Sequence, residues 1–356
     1  MAKNLVLCCD GTWDSADQEK VNGELCVSNV LKIAVRFKKR TAAGTLQIVY
    51  YDQGVGSGNA LDRVQGGAFG EGLQGNINDV YRFLIANYEP GDAICLIGFS
   101  RGAYTARSIA GMIRRCGILR RDTVKQYPEA KALYRSGVKS TDPAAQQFRQ
   151  QFAIENDTPI QCIGVWDTVG ALGIPLRGFQ GFNEEKFRFL DTTLSSAVKF
   201  AFHALSVDER RGPFKPTMWD SQPAAGQTVQ QAWFAGVHSD IGGGYPEHGL
   251  SDLALNWMMD GVNMAGLEID PAVVAALGTK PDPMQKVHES LKGIFKLDTF
   301  DRQIGTTQSK TEYFHKSLIQ KWKAQADYRP KPLKPYEARL QALAAGPLTD
   351  AIFPIA

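Results

Sequence analysis

No stretch of this 356-residue chain approaches the roughly 20 consecutive apolar residues that cross a bilayer, so no transmembrane helix is expected. The first ten residues hold one lysine and a short apolar run, without the longer apolar core and small-residue cleavage site of a secretory signal. A species that is soluble and cytoplasmic as synthesised is therefore expected, with export by a signal-less route left open. Neither sign of charge is in excess: 40 Lys and Arg face 37 Asp and Glu, a net +3. That balance removes the long-range field on which phosphate-backbone binding relies, so nucleic acid is not the expected partner. The six cysteines, Cys8, Cys9, Cys26, Cys95, Cys116 and Cys162, contain no C-x-x-C spacing. Four of them fall in apolar runs, where a free thiol behaves as a small hydrophobe, and reduced core thiols are expected. The sequence shows no internal repeat and no low-complexity segment.

What is present is an alternation. Short, nearly continuous apolar runs (Leu5 to Cys9, Leu46 to Tyr51, Ala93 to Gly98, Ile160 to Trp166, Gln231 to Val237) read as strands buried on both faces. Between them, Val27 to Lys39, Leu73 to Asn87 and Gly102 to Cys116 read as helices. The pattern predicts an α/β fold, a mostly parallel sheet covered by helices on both faces, as one domain over residues 1–356. Residues 119–156 and 179–218 read as helical or loop insertions forming a cap, the second with helical propensity around Leu190 to Leu205. Residues 271–310 form an insertion without a clear period, and 328–356, with Pro330, Pro332 and Pro335 and a short helical pattern, a tail packed on the outside.

The strongest local signal is Cys95-Leu96-Ile97-Gly98-Phe99-Ser100-Arg101-Gly102, an apolar run entering G-x-S-x-G and passing directly into a helix. In a nucleophile elbow the two glycines relieve crowding at a tight turn that exposes the serine at the strand's carboxyl end. The amide of Arg101 is then the expected first oxyanion donor. A serine nucleophile needs a base, and the chain has only five histidines: His203, His238, His248, His288 and His315. His238 directly follows a strand candidate, and Asp167 follows Ile160 to Trp166, so both stand at strand ends on the carboxyl side. The order Ser100, Asp167, His238 is that of α/β hydrolases. His315 is the rival base; His203, placed on an amphipathic helix, His248 and His288 read as structural or surface histidines.

Asp10-Gly11-Thr12 ends the first strand. An aspartyl-phosphatase D-x-D-G-T reading fails because Cys8 stands where the nucleophilic carboxylate must be. The other reading places the segment beside Ser100, with the amide of Gly11 or Thr12 as second oxyanion donor. The glycine-rich stretch from Gly54 lacks the lysine of a phosphate loop and reads as the rim of a cleft. No motif calls for a cofactor, and the spacing of Asp10, Asp167, Asp240 and His238 does not demand a metal.

Together, Cys9 to Trp13, Gly98 to Arg107, Gly164 to Val169, Ala204 to Arg211, Gly236 to Tyr245, His315 to Ser317 and Tyr328 to Lys331 resemble DUF2235, a family of α/β-hydrolases. That family includes the Tle1 group of type VI secretion phospholipase effectors. The resemblance implies an α/β-hydrolase fold, a serine esterase acting on phospholipids or other carboxylic esters, transient membrane-surface contact, and the triad Ser100, Asp167 and His238. It leaves room for type VI export and for an immunity or delivery partner. Two readings from other classes stand beside it: a metal-dependent phosphatase or phosphodiesterase built on Asp10, Asp167 and Asp240, and a non-catalytic binding protein.

Overall fold

The structure is a computed structural model that describes residues 2–11, 26–54, 66–170 and 194–355. Among these residues, eight strands form one sheet in the order β2-β1-β3-β4-β5-β6-β7-β8. They are β1 (Lys3–Cys9), β2 (Leu46–Asp52), β3 (Ala93–Phe99), β4 (Ile160–Trp166), β5 (Val198–Ser206), β6 (Thr228–Phe234), β7 (Glu312–His315) and β8 (Ile352–Pro354). Every pairing is parallel except β7 with β8.

Strand alternation divides the core. Leu5, Leu7, Cys9, Ile94 and Leu96 face one cluster, whereas Val6, Cys8, Cys95, Ile97 and Phe99 face another. The first face is covered by α2 (Gly66–Asn87) and α3 (Ser100–Cys116), and the second by α1 (Asn29–Ala34) and, later in the chain, α7 (Gly249–Met264). The continuous apolar runs of the sequence are the consequence of covering both faces. All six cysteines are buried. The chain runs from β1 outward to β2 and returns to β3 on the other side of β1. The reversal makes a topological switch point at the carboxyl ends of β1 and β3, beside which Asp10 and Ser100 lie.

Three expectations need correction. The helical propensity around Leu190 to Leu205 belongs in part to residues outside the described ones, and Val198–Ser206 is a central strand, so His203 lies on β5 and not on a helix. Its alanines and leucine favour a helix locally, but pairing along both edges, with β4 and β6, overrides that preference. The tail does more than pack outside. After α9 (Lys316–Ala324) and α10 (Glu337–Ala345) it supplies β8, the edge strand, and buries Leu333, Leu340 and Ile355. The first helix is also shorter than Val27 to Lys39, starting after its cap at Ser28, whose hydroxyl accepts the Leu31 amide.

The 119–156 segment contains α4 (Tyr127–Arg135) and α5 (Pro143–Phe152). Arg115 on α3 donates to the Tyr134 carbonyl, Cys116 to that of Ala130, and the Arg149 guanidinium to the carbonyls of Arg115 and Ser140. These contacts hold the segment on the end of α3 remote from Ser100. Between β6 and β7 run α6 (His238–Gly242), α7 and α8 (Pro271–Leu277), then a 3-10 turn at Gly293–Leu297.

Candidate active site

Ser100 stands between β3 and α3 with φ +58°, in the left-handed region that non-glycine residues seldom adopt. The turn is possible because its neighbours have no side chains. A Cβ on Gly98 would lie 2.5 Å from the Gly102 carbonyl oxygen, and one on Gly102 would lie 2.1 Å from that of Cys9 and 2.4 Å from that of Asp10. β1, β3 and the start of α3 therefore meet backbone to backbone. Arg101, next in α3, belongs to the first turn, whose amides point out of the helix end.

Three strand ends converge on this serine. His238 Nε2 lies 2.8 Å from Ser100 Oγ, and His238 Nδ1 lies 2.6 Å from Asp167 Oδ2. Asp167 follows β4 with φ +36°, its amide bonded to the Ala204 carbonyl of β5. Ser206, at the end of β5, donates its amide to Oδ1 (3.1 Å) and its hydroxyl to Oδ2 (3.3 Å). Burial raises the Asp167 carboxyl, but the Arg302 charge and the His238 bond outweigh it and hold the group well below the usual carboxylate range. Burial pushes His238 below its ordinary value, with the bond to Asp167 opposing the shift. The imidazole is held between the rings of Phe99 and Phe214, with centroids at 4.6 and 4.9 Å. A neutral imidazole bonded on one nitrogen to a carboxylate and on the other to a hydroxyl can withdraw the hydroxyl proton as oxygen attacks an electrophile.

The other candidates have different occupations. Asp10 Oδ1 accepts the amide of Gly11 at 2.7 Å, and Oδ2 accepts Ser28 Oγ and Tyr51 Oη at 2.5 and 2.6 Å. The Gly11 amide, expected as an oxyanion donor, is thus turned to its neighbouring carboxylate. Thr12 lies outside the described residues, as does most of the glycine-rich stretch after Gly54. Burial, opposed by these bonds, lifts Asp10 to about 7. Asp240 Oδ2 accepts the Val237 and His288 amides and Oδ1 meets His288 Nδ1 at 2.6 Å, fixing the start of α6. His248 bonds Asp252 in the same way at 2.7 Å. Asp10, Asp167 and Asp240 therefore have separate partner sets, and no group of three potential metal ligands occurs among the described residues.

His315, the rival base, is the N-cap of α9: its Nδ1 takes the Ser317 amide, and its ring stacks on Phe234 at 4.2 Å. His203 Nε2 accepts the Thr168 amide behind Asp167. Burial lowers both imidazoles to about 3, with Lys316 adding to it at His315, and Arg107 adding and Asp167 opposing at His203. Each histidine stays neutral when folded but binds a proton in the unfolded chain below about pH 6.5. The unfolded state then binds more protons from about 6.5 down to about 3, so stability falls as pH falls through that window, by up to about 1.4 kcal/mol per pH unit for each. A His315→Asn variant replaces the capping Nδ1 with an amide oxygen that can accept the same Ser317 amide. It should flatten the acid slope of the urea midpoint by one such contribution while Ser100 retains wild-type reactivity toward a fluorophosphonate, measured by intact mass.

Sequence reasoning missed two features. Arg302, from the 271–310 insertion, forks onto Asp167, with Nη1 2.9 Å from Oδ1 and Nη2 2.8 Å from Oδ2, both side chains fully buried. An arginine in a stretch without periodicity gives no sign of such burial. Glu209 makes an ion pair with Arg211, and its Oε2 also accepts the His238 amide at 3.2 Å. Arg211 in turn lies over the Phe214 ring at 3.5 Å. Arg107 donates to the Thr217 carbonyl and lies over Trp219.

Comparison with known proteins adds an independent line. Residues 3–261 match the model of the type VI secretion phospholipase effector Tle1-like catalytic domain. The uncharacterized protein YEL023C of Saccharomyces cerevisiae is 30% identical over 243 residues, which are 62% of this chain and 33% of that protein. The chain thus spans about a third of the length of that relative. Among solved structures, the Tle1 effector bound to the VgrG spike of the type 6 secretion system aligns with TM-score 0.50 and 14% identity, over 80% of this chain and 77% of that one. This likeness concerns the fold. An uncharacterized protein from Pseudomonas aeruginosa aligns with TM-score 0.42 and 19% identity, over 78% of this chain and 49% of that one.

Proposed function

We propose, given that this chain belongs to the Tle1-like phospholipase effector family of type VI secretion, that it is a serine esterase that hydrolyses phospholipid carboxylic esters. The observation that carries this reading is the unbroken run of contacts from Ser100 Oγ through His238 to Asp167, at 2.8 and 2.6 Å. In the first step Ser100 Oγ bonds to the ester carbonyl carbon while His238 Nε2 takes its proton. Asp167 holds the Nδ1 hydrogen and so fixes the tautomer and stabilises the imidazolium. The negative charge on the former carbonyl oxygen meets the Arg101 amide at the start of α3, and an amide at Thr12 is proposed as the second donor. Collapse breaks the ester C–O bond, the leaving alkoxide takes the proton from His238, and an acyl-serine remains. Water, deprotonated by His238, then releases the carboxylic acid and restores Ser100.

Apolar rings support an acyl chain as the group that approaches the serine. Phe214 touches His238, Phe295 lies 6.2 Å from Phe214, and Leu297, in the same turn as Phe295, is 80% exposed. That turn is where contact with a membrane surface is proposed. A VgrG-type spike, the partner of the Tle1 effector in the solved complex, is the proposed delivery partner.

The test is release of fatty acid from phospholipid vesicles, with short-chain p-nitrophenyl esters alongside, by wild type and Ser100→Ala. Ser100-dependent hydrolysis of both is expected, faster on vesicles. Turnover of short esters alone would remove the lipid from the proposal but keep the mechanism. Activity on either substrate that persists in Ser100→Ala would overturn the mechanism.

A further inference from the structure

We propose that Arg302 is a positioning residue of this site: its guanidinium fork fixes the plane of Asp167 against His238, and its charge keeps His238 a neutral base to lower pH than a histidine–aspartate pair alone. The proposal rests on the serine-esterase reading and goes beyond it to the pH range of the reaction.

The geometry comes first. Asp167 receives five donors: Arg302 Nη1 and the Ser206 amide on Oδ1, and Arg302 Nη2, Ser206 Oγ and His238 Nδ1 on Oδ2. A two-toothed guanidinium contact defines the carboxylate plane, which one imidazole bond cannot do. Arg302 is itself held by the chain around it. The Phe300 amide bonds the Arg210 carbonyl, the Gly212 amide bonds the Asp298 carbonyl, and Ile304 is buried.

Charge gives the second half. In a lone pair, a buried carboxylate raises the pKa of its histidine. Here the Asp167 charge is met by Arg302, and the Glu209 carboxylate at the His238 amide is met by Arg211. Behind Asp167 lies His203, which its own burial keeps neutral. Two carboxylates and two guanidiniums thus lie around the imidazole in compensating pairs, and burial carries His238 below its ordinary value against the opposing pull of its bond to Asp167.

Stability alone is a poor reason for this arginine. Its Nε is buried without a hydrogen-bond partner among the described residues, which is destabilising, and a fully buried ion pair often contributes no more than apolar packing would. Arg302 also lies beyond residues 3–261, the stretch matched by the family model, so the proposal extends the working site past that stretch.

The test is the rate of fluorophosphonate labelling of Ser100 against pH, by intact mass, in wild type, Arg302→Gln and Arg302→Lys. Wild type is expected to have an acid-limb midpoint below 6.5. In Arg302→Gln the midpoint should rise by about one pH unit, with a lower plateau, because a charge beside a buried pair is lost. Arg302→Lys keeps the charge and loses the fork, so its plateau should fall while its midpoint stays near wild type. An Arg302→Gln variant that labels slowly with an unmoved midpoint would make Arg302 merely structural and overturn the proposal. Should that variant not fold, a wild-type midpoint at or above 7, or an Arg302→Lys midpoint that rises, overturns it equally. Folded wild type that takes no label at any pH defeats the serine-esterase reading itself, an outcome distinct from both.

Discussion

Ser100→Ala is expected to lower kcat by about 10⁴- to 10⁶-fold and to abolish fluorophosphonate labelling, with little change in the urea midpoint. The size of the effect follows from the way the three groups act as a unit. With the oxygen gone, His238 has no proton to accept, and the Asp167–Arg302 pair behind it orients an idle imidazole. Stability should hardly suffer, because the serine sits at φ +58° and alanine loses only a hydroxyl whose partner at 2.8 Å is His238. Retention of more than about one per cent of wild-type turnover in a folded Ser100→Ala protein would show that another group does the chemistry.

Gly102→Ala is the second large effect, and it acts on fold and activity together. A methyl group at this position meets two backbone carbonyl oxygens, at 2.1 Å (Cys9) and 2.4 Å (Asp10), neither of which can swing aside as a side chain does. The start of α3 must retreat from β1, or β1 must bend. Overpacking against backbone should cost about 3 kcal/mol or more. A displacement of about 1 Å at Ser100 should also slow labelling by about 10²-fold in whatever fraction folds. Urea unfolding and the labelling rate at pH 8 read the two effects separately. A variant with wild-type midpoint and rate would mean that the elbow is not packed against β1 in this way.

These two positions also show why the elbow was legible in the sequence. Two glycines two residues either side of a serine, between an apolar run and a helical pattern, carry their steric reason in local order. Asp167 and His238 were legible because each ends a strand whose composition announces it. The failures come from residues whose meaning is set at long range. His203 sits among alanines and leucines that favour a helix in isolation, and only strands on both sides make it a strand residue. The four residues of β7 and three of β8 are too few to show a period. His315 stood as a rival to His238 because the same side chain can serve as a helix cap or as a base, and the two differ in what each nitrogen faces. Arg302 is 135 residues from Asp167, in a stretch with no period, and nothing near it in the chain points to a carboxylate.

The two borders of the sheet bear on how this protein behaves at high concentration. An open sheet ends in rows of amides and carbonyls that invite the strand of another molecule. On the far side the border is only three residues long and finishes in Pro354, which has no amide to offer an incoming strand. On the near side, the chain before β2 folds back, with the Gln47 amide bonded to the Lys39 carbonyl and Arg40 bridged to Leu46, so the start of β2 is already covered by its own chain. At the start of β2 and along β8, then, a second copy of the chain finds fewer amides and carbonyls to pair with than an open strand would offer.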